Sequence, residues 1–219
     1  MFNHMFRTIF WVWMAALAAL TLYLLDAWAD AARDAPTLRT EAADIIAAGR
    51  GPGALGPGQL DLLLLVEDPA FYDHNGLDLT TPGAGMTSIP QSLAKRLAFD
   101  KFRPGISKLR QTAYAISLTR RLTREDILAL ALDKAEMGPG PGGWVTGFFQ
   151  ASEAFYGRSP AELKDREFMA LVAALIAPAN LSPINPNPAL EARIDRIARL
   201  AEGQCAPRNH SDVWLEGCA

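Results

Sequence analysis

The stretch with the most chemistry in this chain is Val66–Gly76, VEDPAFYDHNG, where an apolar run from Leu60 ends abruptly in two carboxylates. A carboxylate at the end of such a run is partly desolvated. That raises its pKa and suits it to general acid or base work near neutrality. Glu67 is the candidate for that task. Phe71 and Tyr72 supply an apolar wall, and Asp68 and His74 hold the surrounding loop. Taken singly, Glu67 also fits a plain helix-end charge and His74 a structural histidine.

A second concentration lies downstream. Between Lys95 and Arg110 stand Lys95, Arg96, Lys101, Arg103, Lys108 and Arg110 against one acid, Asp100. On a chain whose net charge is −3, a local excess of cations is either a solvated face or a seat for an anionic substrate. The overall charge excludes the broad basic footprint of a nucleic-acid binder. Of the two cysteines, Cys205 and Cys218, neither has metal-ligand spacing, so no metal site is expected. An oxidising compartment permits a disulfide between them.

The elements that must carry these residues begin with an uncharged segment, Ile9–Leu25 (IFWVWMAALAALTLYLL). Extended through Trp28 it approaches the roughly 20 residues that cross a bilayer core as a helix. Trp11 and Trp13 near one end, and Tyr23 and Trp28 near the other, suit the two interfaces. Arg7 before it and Asp26 and Asp30 after it favour the N-terminus inside and the remainder exported. A cleaved signal peptide is the competing reading, which the length of the apolar run and Trp28 disfavour.

A juxtamembrane helix is expected from Asp30 to Arg50, then a Gly/Pro break over residues 51–58. Helical patterns follow over Ser88–Phe99 and Ser107–Gly138, with Thr123, Glu125 and Asp126 starting a second helix inside the latter. Beyond the Gly138–Gly143 tract, helices are expected at Val145–Tyr156, Pro160–Ile176 and Pro188–Glu202. Strand signals are nearly absent, so the fold class is all-α. The division is an anchor over 1–29, a juxtamembrane helix and linker over 30–58, a helical domain over 59–202 and a tail over 203–219, which Trp214 docks.

The motifs resemble those of the family 51 glycosyltransferases, which polymerise lipid II and include forms with a single membrane anchor. The family's E-D-x-x-F-x-x-H-x-G is matched at Glu67, Asp68, Phe71, His74 and Gly76. Its G-x-S-T-I-x-Q-Q-L-x-K-N is similar to GMTSIPQSLAKR at Gly85–Arg96, with Ile89, Gln91, Leu93 and Lys95 in place and Thr87 and Ser88 as exchanged hydroxyls. Its R-K-x-x-E is similar to Ser107–Gln111, where Lys108 matches. Later likenesses lie at Gly143–Arg158 and Ala177–Pro188, so the resemblance covers roughly residues 60–202.

The resemblance implies a lysozyme-like glycosyltransferase domain, tethered to the bacterial inner membrane by one helix and facing the periplasm. It implies Glu67 as general base, with Gln111 at the place of the second family glutamate. It further implies Asp68, Phe71, His74, Thr87, Ser88, Gln91, Lys95, Lys108 and Arg110 around the substrate. No cofactor is built in, and a divalent cation (Mg2+ or Mn2+) would accompany the substrate pyrophosphate. Lipid II, the nascent glycan, the membrane and other cell-wall enzymes are the implied partners.

Three positions and one spacer depart from the pattern. Gln111 cannot carry charge, Ser107 replaces an arginine that Arg110 would compensate, Asp133 replaces an asparagine, and only eight residues, Leu77–Ala84, separate the first two motifs. The short spacer implies an altered donor pocket. These departures keep open a weak or inactive relative that binds lipid II or scaffolds wall enzymes, and more remotely a glycan-cleaving enzyme. A Gln111→Glu variant that gained activity would mark the native residue as limiting.

Overall fold

The computed structural model describes residues 2–219, with side chains from Met5 onward. Helix α1, Phe2–Ala47, is continuous across both the anchor and the juxtamembrane segment, with Pro36 inside it. Its first half is bare: Phe6, Ile9, Phe10, Trp11, Val12, Trp13, Leu17, Leu22 and Leu25 are all exposed. This half is long and apolar enough to cross a bilayer. From Ala27 the helix changes character. Ala27, Ala31, Ala35, Leu38, Ala42 and Ile45 are buried at helical spacing, and the small alanines let neighbouring helices approach closely.

Those neighbours are α4, Ile106–Thr119, and α5, Arg124–Asp133. Polar ties reinforce the contact. The Tyr114 hydroxyl donates to Asp34 Oδ2 at 2.6 Å, and Ser117 Oγ donates to the Trp28 carbonyl at 2.8 Å. Lys134 pairs with Glu41. Asp133 pairs with Arg50, which clamps the linker to the end of α5.

The remaining helices are α2, Gln59–Glu67; α3, Ile89–Leu97; α6, Phe148–Tyr156; α7, Asp165–Ala174; and α8, Pro188–Ala201. Ser88 and Thr123 close capping boxes with Gln91 and Asp126, and Asn187 accepts the Leu190 N–H. Each such cap stabilises its helix by about 1 kcal/mol. Leu118, Ile127, Leu130, Phe148, Phe168 and Leu171 are fully buried at the centre, where the Phe148 and Phe168 rings meet edge to face at 5.5 Å.

The expected helix through Gly138 is a correction. α5 ends at Asp133, and β1, Glu136–Gly140, pairs antiparallel with β2, Gly143–Thr146. Pro141 and Gly142 make the turn, and α6 starts at Phe148 rather than Val145. Pairing there runs through backbone groups of a Gly/Pro tract that has none of the β-branched alternation by which a strand is recognised.

Candidate active site

A cavity of about 530 Å³ lies between α2, α3, α5 and α8. Leu63, Val66, Leu128, Leu132, Phe148 and Ile176 give it an apolar side, while Thr87, Ser88, Ser92 and Ser211 add hydroxyl-bearing residues to its lining. Glu67 and two arginines, Arg96 and Arg193, supply its charge.

Glu67 is the last residue of α2. It is surrounded by protein yet opens onto the cavity. Burial pushes its pKa up to about 7; Arg193 pulls the other way and Asp68 adds to the rise. The C-terminal end of a helix also disfavours a carboxylate, in the same direction as burial. Near neutral pH such a group both accepts and releases a proton readily. Burial likewise lowers the pKa of Arg193, with Glu67 opposing. No ion pair within 4.0 Å joins Glu67 to Arg193 or any other cation among the described residues, and Arg193 Nε is buried without a partner.

The loop that follows Glu67 is a strut. Asp68, wholly buried, accepts from His74 Nε2 at 2.8 Å and from the Ile89 N–H at 2.8 Å. The Gly76 N–H donates to His74 Nδ1 at 3.0 Å, which leaves Nε2 as the protonated nitrogen. Asp68 thus joins the end of α2 to the start of α3, where a carboxylate is also favoured by the helix N-terminus. Gly76 sits at φ +93°, and a Cβ there would meet the Ala115 carbonyl oxygen at 2.9 Å. Only glycine fits that approach.

Of the residues expected around the substrate, the structure brings Glu67, Thr87 and Ser88 to the cavity wall. Lys108 Nζ reaches its rim and donates to Thr87 Oγ1 at 2.9 Å. Burial lowers the Lys108 pKa and repulsion from Lys95 adds to this. Lys95 itself is exposed, over the Phe102 ring. The cavity face of α3 instead carries Ile89, Ser92, Leu93 and Arg96, as a helical period of about 3.6 residues allots them.

The structure places the other expected residues away from the cavity wall. Asp68, Phe71 and His74 hold the loop and do not line the cavity. Gln91 is fully buried and spends its side chain on the Ser88 cap and on Thr112 Oγ1, at 2.8 Å. Gln111 is also buried and donates to the Gln91 carbonyl at 2.6 Å, pinning α4 to α3 outside the cavity. Arg110 turns toward α1 and pairs with Asp26 and Asp30. It therefore cannot stand in for the arginine missing at Ser107.

Arg193 went unseen in the sequence, though a signal existed. Leu190, Ile194, Ile197 and Leu200 mark the buried face of α8, and Arg193 falls among them. A charge on a buried face needs a purpose. The contribution of the tail had no such signal.

A family model for transglycosylases matches residues 55–202. The chain belongs to the transglycosylase family. The match takes in every element around the cavity except the tail and brings with it the lysozyme-like fold. Among relatives, the chain is 26% identical over 162 residues to the biosynthetic peptidoglycan transglycosylase of Brucella melitensis, covering 68% of this chain and 69% of that one. It is 32% identical over 145 residues to penicillin-binding protein 1B of Buchnera aphidicola (60% of this chain, 19% of that one). Against penicillin-binding protein 1A of Haemophilus influenzae it is 31% identical over 139 residues (57% and 16%). The aligned stretches of the last two span less than a fifth of those relatives' length.

Proposed function

We propose that this transglycosylase domain extends peptidoglycan glycan strands from lipid II at the outer face of the bacterial inner membrane, with α1 as its single-pass anchor. The observation that carries the reading is Glu67, a carboxylate with its pKa near neutrality, in a cavity whose charged partners are cations. Glu67 takes the proton from the 4-hydroxyl of the acceptor sugar. That oxygen forms a bond to the anomeric carbon of the growing chain, with inversion, as the bond to the pyrophosphate breaks and the leaving group departs with the electron pair. Arg96 at the wall and Lys108 at the rim, with Lys95 beyond it, offset the developing negative charge. Arg193 holds the Glu67 carboxylate ready to ionise.

Among the described residues no group of three His, Cys, Asp or Glu could hold a metal, and Asp68 is committed to His74 and Ile89. A divalent cation here would be one carried by the pyrophosphate, and no step is assigned to it. Other cell-wall enzymes are the proposed partners of the exported domain.

The test is incubation of the purified full chain with labelled lipid II and the products resolved on a gel. Polymer that disappears in Glu67→Gln supports the reading. Gln111 at the place of the family's second acid favours one alternative, a relative that binds lipid II and does not polymerise it; binding without polymer would support that. Breakdown of preformed glycan would instead identify a cleaving enzyme.

A further inference from the structure

The tail, residues 203–219, lies beyond the stretch matched by the transglycosylase family, yet Ser211 and Val213 line the cavity. It is not loosely appended. Cys205 and Cys218 form a disulfide, with Cα atoms 5.3 Å apart. Inside that loop the buried Asp212 accepts the N–H groups of Arg208, Glu216 and Gly217 at 2.7–2.9 Å. These bonds outweigh burial and hold its carboxyl below the usual range. From below, Arg193 Nη1 donates to the Val213 carbonyl at 2.9 Å and Arg196 Nη1 to that of Trp214 at 3.0 Å. The tail is therefore held by its backbone and by Leu215, which is 1% exposed in the core. The Trp214 ring, expected to dock it, stays substantially exposed over Arg193.

The tail's other side meets the spacer between the first two motifs. The Gly83 N–H donates to the Asn209 carbonyl at 3.0 Å and the Gly85 N–H to that of His210 at 2.8 Å. His210 Nδ1 in turn bonds the Thr81 carbonyl at 3.0 Å. At Gly85, φ +66°, a Cβ would lie 2.3 Å from Val213 Cγ1, so the two segments close on each other without room for a side chain. The spacer is only eight residues long. What it lacks in length, the tail fills.

We propose that the disulfide-closed tail is the outer wall of the substrate cavity. In this arrangement Ser211 and Val213 contact the sugar of the lipid-linked substrate, and the Cys205–Cys218 bond clamps the wall in place. The proposal rests on the functional reading above for the identity of the substrate. An apolar methyl pair and a hydroxyl suit a saccharide, which offers both C–H faces and hydroxyl groups. A clamp made from cysteines also ties a complete cavity to an oxidising compartment.

The experiment uses the full chain in detergent and two readouts, amide hydrogen exchange and steady-state kinetics with lipid II. In the oxidised protein the Gly83 and Gly85 amides should be protected. Reduction, or the Cys205→Ser/Cys218→Ser double variant, should release both amides and raise KM by about tenfold. Val213→Ala should leave the amides protected, since Asn209 and His210 accept them through backbone carbonyls, and should raise KM by about fivefold, as loss of the wall's two methyls does, with little change in kcat. Amides that stay protected on reduction overturn the clamp, and an unchanged KM in Val213→Ala overturns the wall. Failure of the wild-type chain to bind lipid II at all sinks the functional reading and the wall's substrate with it, while exchange still decides the clamp. A wild-type chain that binds lipid II without polymerising it sinks only the transfer reaction. The wall is then decided by the affinity for lipid II of Val213→Ala, an unchanged value overturning it.

Discussion

Gln111 donates from Nε2 to the backbone carbonyl of Gln91 at 2.6 Å, and its own Oε1 is buried without a partner. The motif resemblance sets this residue against the family's second glutamate. Restoring the acid would remove the donor that pins α4 to α3 and place a charge where the amide is 1% exposed. Gln111→Glu should therefore lose about 2–4 kcal/mol of stability at neutral pH. That corresponds to a melting temperature lower by roughly 5–15 °C for a domain of this size. Burial would raise the new carboxyl's pKa, so the loss should shrink in acid, where the protonated group donates as the amide did. Thermal melts across pH check this, and no gain of polymerase activity is expected.

Arg110 offers the complementary case. Its ion pairs with Asp26 and Asp30 and its position 5.4 Å from the Tyr23 ring fasten α4 to α1. Arg110→Ala should cost about 1 kcal/mol, since the partners are partly exposed. Because Arg110 is absent from the cavity wall, KM for lipid II should stay within roughly twofold. A melt and a kinetic titration together separate the fastening role from substrate binding.

Arg193 opposes the rise in the Glu67 pKa. Arg193→Met removes that opposition, so the acidic limb of the pH–activity curve should move to higher pH. Arg193→Lys keeps a positive charge and should restore most of the shift. A loss of packing alone would lower the whole curve without moving it.

Glu67 should also reveal itself in stability. Its folded pKa of about 7 exceeds the ordinary 4.5, so the fold prefers the protonated form. Below about pH 4 its ionisation costs the fold nothing; the cost grows as pH rises from 4.5 toward 7 and is complete above that. Glu67→Gln should thus melt with the wild type in acid and be more stable at about pH 8, by at most about 3 kcal/mol. The matched pair of melts checks the sign.

Local chemistry made much of this site readable. The apolar run into Glu67, the helix start at Thr123 and the uncharged Ile9–Leu25 stretch of α1 each depend on neighbours within a turn or two. Motif resemblance located Asp68, His74 and Gln91 but could not distinguish touching the substrate from building its housing. That distinction lies in where each side chain spends its hydrogen bonds. The hairpin at Glu136–Thr146 and the bonds from Gly83 and Gly85 to Asn209 and His210 run through backbone groups distant in sequence. No side-chain period announces them. Arg193 was legible in principle, as a charge on the buried face of α8, though its partner across the cavity was not.

The proposed transfer depends most on Glu67 acting as a base whose ionisation is delayed by burial. The direct measurement is kcat/KM for lipid II polymerisation across about pH 5.5–8.5, which reports the ionisation of the free enzyme. The predicted result is a rise with an apparent pKa of about 7, and activity at every pH reduced at least about a hundredfold in Glu67→Gln. A profile flat over that range, or a Glu67→Gln variant that retains wild-type polymerisation, would contradict it.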